Sequence, residues 1–309
     1  MKNCFHFILI FSFLLISSCG NNPEEEAYQG IDQALTLLSE EKCEEAIKIL
    51  ENLEDQDENP VWIKTLASAY ACKAGIQMIK FVANDVIAIS TTALFQSVSI
   101  LSFSNESSTD SEAYEAMKQS LTILGRSDFK QTTRSSDFGK RHGEDMGVQV
   151  LIYSLIQFGK YLNWYGNVDA VGKKGAGTNT NSCYLNYSYA PAVATIAGNP
   201  VSNACQSTND GHPDISGANR AARICEGLTL ITNIIDVLNG IDLSGSSTLS
   251  SLENIVTEVN SYRTVADAAG VGYLLDVTSP AACEALLANA ADMNNAEFLF
   301  ALVLEREHE

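Results

Sequence analysis

Basic residues are scarce in this 309-residue chain: 19 lysines and arginines stand against 38 aspartates and glutamates, a formal net charge of −19. Such a surface repels nucleic acid and anionic headgroups, which argues against a polyanion-binding role. Histidine is scarcer still, at four residues, and no two of them have the spacing that puts metal ligands on one helical face. Also missing are a C-x-x-C pair, a G-x-x-x-x-G-K-[ST] phosphate loop and a G-x-S-x-G nucleophile elbow. The sequence therefore nominates no metal, no cofactor and no catalytic residue, and it reads as a non-enzyme. Gly172-Lys173-Lys174-Gly175-Ala176-Gly177 imitates a phosphate loop but lacks a strand before it and a helix directly after, so it reads as a flexible loop. His142, Glu144 and Asp145, like His212 and Asp214, read as solvated polar residues.

What is present starts at the N-terminus. Lys2 precedes an apolar run from Phe5 to Ile16, shorter than the ~20 residues a helix needs to cross a bilayer. Leu15-Ile16-Ser17-Ser18-Cys19 closes the run. These residues resemble the bacterial lipobox, an aliphatic residue and two small ones before a cysteine. The resemblance implies that residues 1–18 are a signal peptide and that Cys19 carries a thioether-linked diacylglycerol, usually with an acyl chain on its new amine. Gly20 is not the aspartate associated with inner-membrane retention in many Gram-negative bacteria, so the resemblance implies the outer membrane, with the body lipid-anchored and periplasm-facing. Loss of residues 1–18 removes Lys2 and no acidic residue, so the net charge becomes about −20. Membrane affinity then has to come from the lipid, at ~0.8 kcal/mol per buried methylene.

Cys4 leaves with the signal and Cys19 takes lipid. Cys43, Cys72, Cys183, Cys205, Cys225 and Cys283 remain, an even number in an oxidising compartment. Three disulfides are the natural hypothesis, zinc the competing one, and sequence proximity does not choose among the pairings.

Apolar residues make up 46% of the chain and charged ones 18%, enough for a sizeable core. After an acidic tether over residues 19–27, residues 28–309 read as a single mainly α-helical domain. Ile31, Ala34, Leu35 and Leu38, then Ala46, Ile47, Leu50 and Leu53, predict two short amphipathic helices in a hairpin. Asn59-Pro60 supplies a cap and a first-turn proline for a third helix carrying Ile63, Leu66, Ala67 and Tyr70. Residues 28–80 resemble a tetratricopeptide repeat and the start of a second one, through Ala46 and Leu50, then Leu66, Ala67 and Tyr70. Leu53 stands where a small residue is usual and Pro60 arrives about two residues late, so the repeat is degenerate, and no ~34-residue period continues after Lys80. The resemblance implies that the second and third helices run antiparallel, and with it a Cys43–Cys72 bridge. Two separate buried thiols are the alternative.

The uncharged run Val86 to Asn105 reads as a central buried helix over Val86–Phe103, because its many serines and threonines make a weak membrane span. A capping box at Thr109-x-x-Glu112 predicts a helix through Leu124, and a further apolar helix is expected from about Asp145 to Trp164. Residues 166–216 form a long polar loop, which a Cys183–Cys205 bridge would order; Cys225–Cys283 remains by elimination. Helices follow at Ala218–Asn239, after Ser250-x-x-Glu253 and after Ser279-Pro280, with Phe298–Leu304 in the last. Aromatic residues border or occupy the loop, and Trp164, Tyr184 and Tyr187 are the candidate ligand contacts, with core packing as the alternative.

The leading functional expectation is a non-enzymatic helical binding or assembly scaffold with a protein partner, tethered to a membrane through lipid on Cys19 and binding no nucleic acid. A small-molecule ligand is the alternative. The lipobox, repeat-like hairpins and extra core helices resemble the T component of tripartite periplasmic transporters, which implies an accessory protein of a periplasmic transport system.

Overall fold

Residues 23–53, 56, 59–77, 81–85, 89, 94–101, 112–125, 137–166, 219–238, 260–277 and 279–304 are described by the computed structural model. The expected signal peptide over residues 1–18, Cys19, the expected Cys183–Cys205 pair, Tyr184, Tyr187 and residues 167–216 of the expected loop lie outside them.

Helix α1 (Pro23–Ser39) begins five residues before the expected start at Tyr28. Pro23 has the fixed φ of a first helical residue, and Glu24, Glu25 and Glu26 complement the positive end of the helix dipole. These polar residues carry no apolar periodicity, but Ala27 is already buried with Ile31 and Ala34, so residues 23–27 of the expected 19–27 tether are helical instead. A tight turn with Glu41 at φ 60° leads into α2 (Cys43–Glu51), which buries Ala46, Ile47 and Leu50.

Helix α3 (Pro60–Lys73) starts as its sequence indicates. The Asn59 side chain accepts hydrogen bonds from the Val61 and Trp62 amides, with Pro60 in the first turn. The Trp62 indole donates to the Leu50 carbonyl at 2.8 Å, and Cys43 at the start of α2 is disulfide-bonded to Cys72 at the end of α3, with Cα atoms 5.5 Å apart. Together these two links fix α2 and α3 as antiparallel neighbours. Gly75, at φ +80°, takes the left-handed conformation that ends α3, and the Ile76 amide closes back onto the Ala71 carbonyl.

The run Val86–Phe103 is not one central helix. Among its described residues only α4 (Leu94–Ser99) is helical, preceded by a π-helical turn over Phe81–Asp85. The chain turns at Ile100, which is exposed, and α4 flanks the core with Val98 and Leu101 turned inward. Serine and threonine side chains that compete for backbone hydrogen bonds explain why apolar content alone misleads here.

The middle of the core is α6 (Asp137–Tyr165), which starts eight residues before the expected Asp145. Every residue from Leu151 to Leu162 is buried, the signature of a helix covered on all sides. On one side lies α5 (Glu112–Gly125), antiparallel to α3: Lys73 pairs with Glu112 at one end, and the Ser120 hydroxyl donates to the Ala67 carbonyl further along. The Gln149 amide reaches the Lys64 carbonyl and Ser68 Oγ of α3, and Asn163 donates to the Ser99 carbonyl of α4. On the other side lies α7 (Arg220–Leu238), where the Tyr161 hydroxyl donates to the Arg223 carbonyl at 3.0 Å.

A helix over residues 260–268 (α8), a 3₁₀ turn over Gly272–Asp276, α9 (Pro280–Leu287) and α10 (Ala290–Leu304) complete the chain. Ser279 caps α9 through its side chain, as the Ser279-Pro280 pair indicates. The fold is mainly α, with no strand among the described residues, and its core runs continuously from Ile31 to Leu304. No described helix is long and apolar enough to cross a membrane.

Candidate functional site: a charged cleft between α5, α6, α7 and α9

Three constraints bring the first turns of α7 to one place. The Cys225–Cys283 disulfide ties α7 to α9. Arg220 reaches Glu297 in α10 at 2.6 Å, and the Glu297 carboxylate is completely buried. Gly227 allows the closest approach: a Cβ there would come within 2.7 Å of the Tyr161 ring in α6 and 2.9 Å of the Phe300 ring in α10.

A cleft of about 300 Å³ opens beside this junction. Ala222, Arg223 and Glu226 reach it from one face of α7, Asn219 from the turn just before it, Glu115 and Lys118 from α5, Tyr165 from the last turn of α6, and Pro280 and Glu284 from α9. Three carboxylates and two cations thus share a small space. Their engagements differ. Lys118 pairs with Glu115 one turn away at 3.1 Å, and the Arg223 guanidinium sits 5.7 Å over the Tyr165 ring in cation–π contact. Tyr165 in turn packs against Tyr161 with centroids 4.9 Å apart.

Glu226 is a half-buried carboxylate. Burial raises its pKa above the ordinary carboxylate range; the Lys118 charge and the Tyr114 hydroxyl pull it back, and Glu115 adds to the rise. Its Oε1 is shielded from solvent. Burial lifts the Tyr114 hydroxyl well above the usual tyrosine range, and the Glu226 charge lifts it further. For Lys118 burial works against the charge, but Glu226 and Glu115 outweigh it and the pKa is raised.

A second unusual feature runs along α6, away from Tyr165. Ser154, Gln157, Tyr161 and Tyr165 recur at i, i+3, i+7 and i+11, one stripe of α6. Ser154 and Gln157 are fully buried, and Ser154 Oγ and both polar atoms of the Gln157 amide have no hydrogen-bond partner among the described residues.

Of the sequence-nominated aromatic residues, Trp164 is half-buried against the core and does not line the cleft; its neighbour Tyr165 does. Tyr184 and Tyr187 lie outside the described residues, as do His212 and Asp214 and the side chains of His142, Glu144 and Asp145. No group of three or more histidine, cysteine, aspartate or glutamate side chains among the described residues is arranged to hold a metal. Sequence reasoning passed over Glu115, Lys118, Arg223, Glu226 and Glu284. Their one local signal is the position of Glu226 between the buried Cys225 and Gly227 of an apolar helix.

No family model matches the sequence, and no curated protein and no solved structure matches it either.

Proposed function

We propose that the protein is a non-enzymatic binding and assembly scaffold, held at the bacterial outer membrane by lipid on Cys19 and facing the periplasm. The observation that carries the scaffold reading is the outer face of α1. Tyr28 and Leu35, two turns apart, are 50% and 47% exposed along one flank of the stripe that buries Ala27, Ile31 and Ala34; for Leu35 this departs from the core face its spacing predicts. In the tetratricopeptide-like arrangement of α1, α2 and α3, α1 occupies the position of a first repeat helix, and exposed aromatic and aliphatic side chains there suit a partner segment.

The experiment has two arms. Wild-type protein partitions into the detergent phase of a cloud-point extraction, and Cys19→Ala moves it to the aqueous phase; unchanged partitioning removes the anchor. A photo-cross-linker at position 28 or 35, activated on intact cells, yields a discrete protein adduct; recovery of none at either position removes the scaffold.

A second reading is favoured by the charged cleft: a small-molecule-binding accessory protein of a periplasmic transport system. Its volume fits the lower end of small-ligand pockets, ~300 Å³. A small molecule that co-purifies while no partner cross-links selects this reading over the first.

A further inference from the structure

We propose that the Cys43–Cys72 disulfide is a site of reversible thiol–disulfide exchange with an external dithiol, a redox hinge between α2 and α3, and that Cys225–Cys283 is an inert structural bond. This holds whatever the cleft or the flank of α1 binds.

Access supplies the first argument. Exchange needs a thiolate to reach a sulfur of the bond, so its rate follows exposure. Cys225 and Cys283 are both completely buried. Cys225 lies in the second turn of α7 beside the fully buried Ile224, and Gly227 two residues on is packed against the Tyr161 and Phe300 rings. A reductant reaches that bond only when α7 and α9 come apart, which opens the core. Cys43 and Cys72 instead keep partial contact with solvent. Each stands at a helix end: Cys43 is the first residue of α2, two positions after the tight turn at Glu41, and Cys72 is in the last turn of α3, three positions before the left-handed Gly75. Helix ends open locally at low free energy, so these two sulfurs separate without disturbing the core.

The second argument is how the links between α2 and α3 are distributed. At the far end of α2 the Trp62 indole donates to the Leu50 carbonyl in a buried bond, and the Tyr70 hydroxyl donates to Glu51 at 2.6 Å. Ala46, Ile47 and Leu50 are buried on the same helix. At the disulfide end, the other side-chain links among the described residues are two weak ones near the surface. Lys73 lies 3.5 Å from the exposed Glu44, and the Gln77 amide donates to Glu41 at 3.2 Å. Exposed ion pairs of this kind contribute little. The covalent bond is therefore what holds that end. Opening it frees the first turn of α2 and the turn over residues 40–42, while the Trp62 end stays pinned.

The exchange balances without a further reagent. One thiolate of the dithiol attacks a sulfur of the bond and forms a mixed disulfide; the other protein sulfur leaves as a thiolate and takes up a proton. The donor's second thiol then attacks its own sulfur in the mixed disulfide and releases the second protein thiol. The donor ends as a disulfide, the protein has gained two electrons and two protons, and the reverse sequence restores the bond.

The test is a dithiothreitol time course on the oxidised full mature protein in detergent, with alkylation and peptide mapping at each point. Cys43 and Cys72 are expected to become labelled together, about tenfold or more faster than Cys225 and Cys283. Sub-denaturing urea separates local from global opening. It should leave the Cys43–Cys72 rate nearly unchanged and raise the Cys225–Cys283 rate, because only the second opening exposes much buried surface. In protein reduced at the first bond, amide exchange is expected to quicken at residues 40–46 and to stay unchanged over residues 151–162 of α6. Equal reduction rates, a Cys43–Cys72 rate that climbs with urea as steeply as the other, or loss of amide protection across α6 overturns the proposal. So does a reduced protein whose residues 40–46 exchange no faster than before, or one that does not re-form the bond with oxidised dithiothreitol.

Discussion

Arg220, the first residue of α7, holds the fully buried Glu297 carboxylate of α10 with its Nε and Nη2 each 2.6 Å from Oε1. The pair closes the junction beside which the cleft forms, and it is asymmetric, since Arg220 keeps partial contact with solvent while Glu297 has none.

Removing the cation alone therefore strands a buried charge. Arg220→Met is expected to cost about 3–5 kcal/mol, and Arg220→Met combined with Glu297→Leu to recover most of that loss. Urea unfolding of the two single variants and the double variant measures the coupling; additive losses would contradict the buried-pair account.

Glycine substitutions separate two kinds of close contact. At Gly227 an added methyl meets the Tyr161 and Phe300 rings, both buried and immobile, and Gly227→Ala is expected to cost about 1–3 kcal/mol. At Gly30 it meets only the end of the half-buried Leu53 side chain, 2.8 Å away, which can rotate. There the gain in helix propensity, up to ~1 kcal/mol, offsets the adjustment, and Gly30→Ala is expected to be nearly neutral. Thermal melts of both variants in one buffer decide it.

The two described disulfides differ in the loop they close, with sequence separations of 29 and 58 residues. In the chain-entropy model Cys43→Ser with Cys72→Ser costs about 3.5 kcal/mol, and Cys225→Ser with Cys283→Ser about 4 kcal/mol. Denaturant midpoints of each double variant test the ranking. Non-reducing peptide mapping that found free thiols at Cys43 and Cys72 would remove the first pair outright.

Glu226 gives the fold a pH dependence of definite sign. Its folded pKa lies above its unfolded value, so the native state binds the proton more tightly. Its contribution to stability is complete below the unfolded carboxylate pKa and is lost as pH rises through the folded one. Glu226→Gln should accordingly raise the melting temperature relative to wild type at pH 7–8, with the advantage shrinking toward about pH 4, near the unfolded value. A melting-temperature difference that grows on acidification would contradict the sign.

Much of the fold is legible where a local signal decides local structure. Ile31, Ala34, Ala46, Ile47, Leu50 and Leu66 fall on the faces their spacing indicates, and Asn59-Pro60 and Ser279-Pro280 start helices where cap chemistry places them. The central role passes instead from the uncharged run near Phe95 to α6, because covering a helix on all sides depends on what the rest of the chain packs around it. Nothing in the window around Gln157 or Lys160 announces that both are buried. The cleft is illegible for a related reason. Glu115-x-x-Lys118 and Arg223-x-x-Glu226 read as ordinary charged helical turns, and only tertiary packing across more than a hundred residues brings them face to face.

The early start of α1 has a mechanical consequence. With lipid on Cys19 as proposed, only four residue steps separate the anchor from Pro23, a leash of at most ~14 Å. Glu24, Glu25 and Glu26 would then hover close to the headgroup layer, where the field of an anionic surface still reaches them across a screening length of ~8 Å. Their repulsion would act as a standoff, levering the first helix away from the bilayer and holding the attached body upright.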